Sequence, residues 1–282
     1  MISRAAILLF LCLAATTTMA TDNYFVSQRK EASMLVTGTV HINPDGSVMN
    51  YTLDHPEELD SSVKELVDQN VKRWNFQFAS APSATATENL SVRLVARMLD
   101  DRHVSLRIAG VSFDDAEVPE DENIRYDKKH GADFPKAAFE EGVWGTAYVL
   151  LRVGRDGRVQ EASVEQVDLG TFAPTADMAR YRKYLGDAAV KGIRQSTFKV
   201  PTKGKNADQP YWLVRIPVNF LNPNDPEPVA YGAWQTYVPG PRADVSWLDH
   251  PELAAGAPDA VPDGMLHALQ GEPQLRTGTR GG

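Results

Sequence analysis

The chain has 282 residues, a hydrophobic fraction of 43% and a formal net charge of −8. Length and apolar content together allow two ordinary domains with packed cores. The acidic balance argues against a nucleic-acid partner, which needs a basic patch to displace phosphate counterions, and against a general attraction to anionic lipid.

The N-terminus reads as an export signal. Arg4 supplies a positive n-region, Ala5 to Ala15 an apolar h-region, and Thr18-Met19-Ala20 a small-x-small cleavage site. The apolar run is shorter than the roughly 20 residues a bilayer span needs. Residues 1–20 are therefore expected to be removed, leaving Thr21 first; the alternative is an uncleaved inner-membrane anchor. Cys12, the only cysteine, follows Phe10 and Leu11 rather than the small residues of a lipoprotein site. A mature chain from Thr21 has no thiol for a disulfide or a metal.

Residues 21–113 form the first expected module. Val36, Gly38, Val40 and Ile42 alternate along a strand, and Asn43-Pro44-Asp45-Gly46 is a hairpin turn whose Asp-Gly pair tolerates positive φ. Val48 to Leu53 return. A helix from about Ser62 to Arg73 opens on a capping box, Ser62 with Glu65. It carries the stripe Val63, Leu66, Val67, Val71 and Trp74 at helical spacing. Phe76 follows. Val92, Leu94, Ala96 and Met98 form the apolar face of a third strand, and Val104 to Phe113 a fourth that covers its edge. The stretch 114–130 is acidic, with Asp114, Asp115, Glu117, Glu120, Asp121 and Glu122, and reads as a solvated linker. It lacks the ligand spacing and turn glycine of a calcium loop.

Residues 131–222 repeat the first module. Ala147, Val149, Leu151 and Val153 alternate, Gly154-Arg155-Asp156-Gly157 turns, and Arg158 to Val167 return. A helix from about Asp177 to Arg194 carries Tyr181, Leu185, Ala188, Ala189 and Ile193, and Phe198 follows it. In the third strand, Tyr211 to Phe220, the residues Trp212, Val214, Ile216, Val218 and Phe220 make one apolar face that should cover the helix. The turn glycines, 46 and 157, stand 111 positions apart, and the post-helix phenylalanines, 76 and 198, stand 122 apart. The same order of elements with the same turn indicates an internal duplication. The fold class is thus α+β, two tandem ββαβ modules, each an antiparallel sheet with one helix on a face. Residues 223–282, rich in Pro, Gly, Ala and Asp, are expected to be largely disordered or loosely docked through Trp234, Tyr237 and Trp247.

No catalytic or metal-binding constellation is visible. The histidines, His41, His55, His103, His130, His250 and His267, show no i, i+4 metal pair, and neither a Gly-x-Ser-x-Gly elbow nor a Gly-x-x-x-x-Gly-Lys loop is present. No cofactor is expected, and the chain is expected to bind rather than catalyse.

The second module resembles the C-terminal domain of the TonB family from Phe134 to about Leu221. The resemblance rests on Phe134-Pro135-Lys136-Ala137-Ala138-Phe139, Gly142-Val143-Trp144-Gly145-Thr146, Gly154-Arg155-Asp156-Gly157-Arg158-Val159, Ala189-Val190-Lys191-Gly192-Ile193-Arg194 and Trp212 to Phe220. The first module, residues 33–113, resembles it weakly. The resemblance implies a periplasmic protein that takes an extended peptide or envelope protein by strand addition, linked to an outer-membrane transporter, with the membrane reached only through that partner. It places recognition on the strand after the helix, with Tyr211, Leu213 and Arg215 outward and Pro217 limiting the pairing. The chain departs from the family in lacking a proline-rich spacer and in carrying Ser196 where the family has a tryptophan that Trp74 supplies in the first module. The alternative is a self-associating structural envelope protein whose open edges pair with each other.

Overall fold

The computed structural model describes residues 31–276 apart from 79–81, 101–102, 117, 223, 225–226, 228, 251–253, 255 and 272. The expected export signal and its cleavage point lie outside the described residues. The architecture is α+β, with antiparallel sheets and helices packed on them.

In the first module β1 (Glu31–Ile42), β2 (Val48–Leu53), α1 (Ser61–Val71), β3 (Phe76–Gln77), β4 (Ala86–Met98) and β5 (Val104–Asp115) follow in order. The second contains β6 (Arg125–Lys128), a short α2 (Lys136–Glu140), β7 (Gly145–Gly154), β8 (Val159–Leu169), α3 (Thr175–Ile193), β9 (Thr197–Lys199) and β10 (Tyr211–Phe220). The first strand of each repeat is central, with β2-β1-β4 in one sheet and β8-β7-β10 in the other. In α1 the stripe Val63, Leu66, Val67 and Val71 is buried with Trp74 against β1 and β4. In α3 Tyr181, Leu185, Ala189 and Ile193 close over β7 and β8, in one core with the inward face of β10. The expected capping box is not formed. The helix starts at Ser61 behind Asp60, which makes no side-chain cap bond, so Ser62 already lies in the first turn.

The two halves share a hydrogen-bond pattern at the turn and after the helix. Asn43 N–H donates to Ser47 O and Gly154 N–H to Arg158 O, both at 2.9 Å. Phe76 N–H then donates to Gly46 O, and Phe198 N–H to Gly157 O, both at 2.8 Å. The strand after each helix is thereby tied to the hairpin turn. Gly46 and Gly157 sit at φ +86° and +73°, and a Cβ at either would collide with the carbonyl oxygen of Phe76 or Phe198.

Two segments differ from the sequence expectation. The stretch 114–130 is not a free linker. Asp114 and Asp115 end β5, and β6 pairs with β9, where Tyr126 stacks on Phe198 at 5.1 Å. Its acidic residues hid the two apolar side chains, Ile124 and Tyr126, that pack on the second core. The described part of 223–276 is likewise built into the fold. Its strands are β11 (Gln235–Tyr237) on β1, β12 (His267–Ala268) on β10, and β13 (Gln274–Leu275) on β3. Tyr231 and Trp234 pack on the first core, Val238 is buried in the second, and Ala254 and Leu269 are buried on Leu150 and Leu213. Composition favours a loose tail, but it does not register that two half-covered sheets offer surface to bury.

The tail also joins the modules. A 3-10 turn, Pro258–Ala260, touches β4 and β5 of one sheet and β8 of the other. Arg93 Nε donates to Asp259 O at 2.7 Å, and Ser112 Oγ to Ala260 O at 3.0 Å. Beside this junction Asp168 accepts from Gly240 N–H and Gln166, both at 2.8 Å. Burial, reinforced by the neighbouring Asp259, pushes its carboxyl from 3.8 up to about 7. The native state therefore holds this proton more firmly than the unfolded chain, and stability falls as pH rises from about 4 to 7.

Two predictions follow from these contacts. Gly46→Ala and Gly157→Ala should each lower unfolding free energy by about 1–3 kcal/mol in urea titrations, because the αL conformation and the carbonyl clash act together. Asp168→Asn keeps an acceptor for Gly240 N–H and removes the titration. It should match the parent chain near pH 4 and exceed it at pH 8 by an amount on the order of 4 kcal/mol, measured by denaturation across that range.

Candidate functional site

β10 is the strand on which the sequence places recognition. It pairs with β7 along its whole length, from Tyr211↔Gly154 to Phe220↔Gly145. As its alternation requires, Trp212, Val214, Ile216 and Phe220 enter the core beneath α3, with Val218 partly buried beside them. Tyr211, Leu213 and Arg215 take the opposite face, as expected, but that face is not open. Leu213 is fully buried with Leu150, Ala254 and Leu269, and Arg215 is 1% exposed. Tyr211 is half-buried, with the Arg152 guanidinium 4.7 Å from its ring centre.

Arg215 is held by Glu165 in a two-point ion pair, Nε to Oε2 at 2.5 Å and Nη2 to Oε1 at 2.8 Å. It also donates to Ala254 O at 3.1 Å. Both side chains are almost wholly excluded from water. Such a pair is fixed in geometry rather than strongly stabilising, since desolvation offsets much of its attraction. Glu165 reaches Arg215 because of a bulge. Gln166 pairs with Tyr148 and Val164 with Val149, which leaves Glu165 as the extra residue and re-aims it. Arg242 of the tail approaches the same carboxylate at 3.7 Å and donates to Ala254 O. Trp247 Nε1 donates to Ser163 Oγ at 2.7 Å, and Arg152 donates to Trp247 O at 2.6 Å. Sequence reasoning missed Glu165; its trace is the broken alternation at Val164-Glu165-Gln166-Val167.

The strand edge is occupied as well. β12 pairs Val214 with Ala268 and Arg215 with His267. Leu269 N–H donates to Leu213 O at 3.0 Å, and Leu213 N–H donates to the Gln270 side chain at 2.9 Å. Tyr211, Leu213 and Arg215 therefore do not form an open docking surface, which corrects the expectation for them. The chain supplies its own extended segment there. By alternation the backbone of residue 217 also points to this edge. Pro217 has no N–H to offer, and the added strand ends before it.

Among the described residues, His55, Glu57 and Glu58 are the one group of His and carboxylates close enough to share a metal ion; all three are exposed on the turn before α1. No helix among the described residues is long and apolar enough to cross a membrane. No family model matches the chain, and no curated protein or solved structure matches it.

Removing one member of the buried pair should cost far more than removing both. Glu165→Ala strands the Arg215 guanidinium and should lower stability by about 3–5 kcal/mol, whereas Glu165→Leu with Arg215→Met should lie near the parent. Denaturant titration of the two variants checks this.

Proposed function

We propose that this chain is an exported, periplasmic, TonB-like protein-binding module that takes an extended segment of an envelope partner on the edge of β10, in exchange with its own C-terminal tail. One observation carries this reading: the edge accepts an extended segment in cis, through two residue pairs and the two hydrogen bonds of Leu213. An edge strand recognises mainly through backbone N–H and C=O groups, with little demand on sequence, so a segment that fits in cis has the chemistry of one that fits in trans. Among the described residues the short pairing leaves most of the ten-residue strand without a second neighbouring strand, and a longer partner strand would gain hydrogen bonds by displacing β12. An outer-membrane transporter is the partner class the TonB resemblance suggests.

A second reading, self-association as a structural envelope protein, draws support from β5. Its 12 residues pair only with β4 among the described strands.

A labelled peptide of residues 262–272 tests the leading reading. A chain ending at residue 261 should bind the peptide at least about tenfold more tightly than the full chain, the released edge no longer being shared with a cis competitor. Leu213→Pro in the shortened chain should abolish binding, because it removes the donor that faces the added strand and leaves the β7 ladder intact. Equal binding by the full and shortened chains refutes exchange. A dimer of the full chain whose fraction rises with concentration favours the second reading.

A further inference from the structure

Where the two modules and the tail meet lies a cavity of about 500 Å³, within the usual size range of small-molecule sites. Two of its polar side chains are more than nine-tenths buried and keep unused hydrogen-bonding capacity. Tyr148, on β7, is 3% exposed, and its hydroxyl meets no hydrogen-bonding partner among the described residues. Asp168, at the end of β8, is 6% exposed; both its bonds, from Gln166 and Gly240 N–H, fall on Oδ1, and Oδ2 receives none among the described residues. Among the described residues Arg93 is the one cation of the lining, and it is engaged by Asp259 O and by Ser33 Oγ at 3.4 Å. The lining's acidic residues, Asp168, Glu227 and Asp263, outnumber that guanidinium. Trp144 and Tyr231 add aromatic wall, and an aromatic, net acidic recess suits an ammonium group on an apolar body.

We infer that this cavity binds a small organic cation, an amine whose ammonium donates to Asp168 Oδ2 and to the Tyr148 oxygen while its apolar part lies against Trp144 and Tyr231. The inference does not rest on strand exchange, although Asn219 of β10 and the tail residues Pro262 and Asp263 form part of the cavity wall. Asp168 faces Asp259 and Arg93 from the neighbouring elements as well as Gln166 on its own strand. Its carboxyl holds a proton up to about pH 7, so a bound cation displaces that proton. Affinity therefore rises as pH increases through 7, and binding below that pH releases a proton to the buffer.

Titration calorimetry of the full chain with benzylamine, benzyl alcohol and benzoate, at pH 6 and pH 8, tests the inference. These probes share a ring and differ in charge. Benzylamine should bind most tightly, about tenfold more so at pH 8 than at pH 6, as one carboxyl titrating near 7 requires. Asp168→Asn should weaken benzylamine at pH 8 at least about tenfold and remove the pH dependence. Tyr148→Phe should weaken binding and leave the pH dependence in place, which tests the site independently of the Asp168 variant. The inference is overturned if benzoate or benzyl alcohol binds as tightly as benzylamine, if none of the three binds, or if both variants bind benzylamine like the parent.

Discussion

Each of the two large sheets of this protein has one face closed by a helix and a second face and an edge that the ββαβ unit cannot close by itself. A sheet left in that state exposes apolar side chains and unpaired backbone groups, the two things a folded chain tolerates least. The C-terminal residues meet this constraint. They lay Ala254 and Leu269 on the outer face of the second sheet, add β12 to the edge of β10 and place the 258–260 turn between the two sheets. The arrangement of the modules, the burial of Arg215 and the cavity at the junction all depend on that docking.

The two repeats solve the edge problem differently. The first carries its own fourth strand, β5, paired with β4 from Glu88↔Asp115 to Met98↔Val104. The second has no such strand in sequence and obtains two residues of pairing from almost fifty positions further on. A covalently continuous hairpin fixes its register through its turn, whereas a borrowed segment is held by side chains. Here those are Gln270 at Leu213, Asn219 at Asp263, and the Arg215–Glu165–Ala254 group. The borrowed edge is the one whose added strand no turn holds in place, which is why the proposed function rests on it and not on the β4–β5 pairing.

The elements that were legible in the sequence are those set by local chemistry. Asp45-Gly46 and Asp156-Gly157 name their turns, and the stripes of α1 and α3 follow from spacing alone. Even the phase of β10 could be read, with Trp212 inward and Leu213 outward. What covers the outward side could not, because it is set by residues far away in the chain. Glu165 reaches Arg215 only through a bulge, and a bulge shifts the period that a pattern-based reading relies on. The Ser62–Glu65 spacing has the form of a capping box but misses by one residue, since the helix begins at Ser61. Of the cavity polar groups, Tyr148 lies on a predicted strand and Asp168 one residue past the predicted end of the next, and neither carries a motif; only the approach of the other module makes them neighbours of Arg93.

The pairing of β13 with β3 has a consequence for the order of events at birth. Residues 274–275 bond to residues 76–77, and Arg276 N–H donates to Asn75 O at 2.8 Å. A nascent chain delivers its N-terminal part first, and early domains commonly settle before later ones arrive. Here β3 of the earlier half gains its pairing strand only after residues 274–275 have emerged. Until then the border of β3 lacks that strand and stays available to whatever escorts the polypeptide, so closure of the first module is coupled to synthesis of the tail.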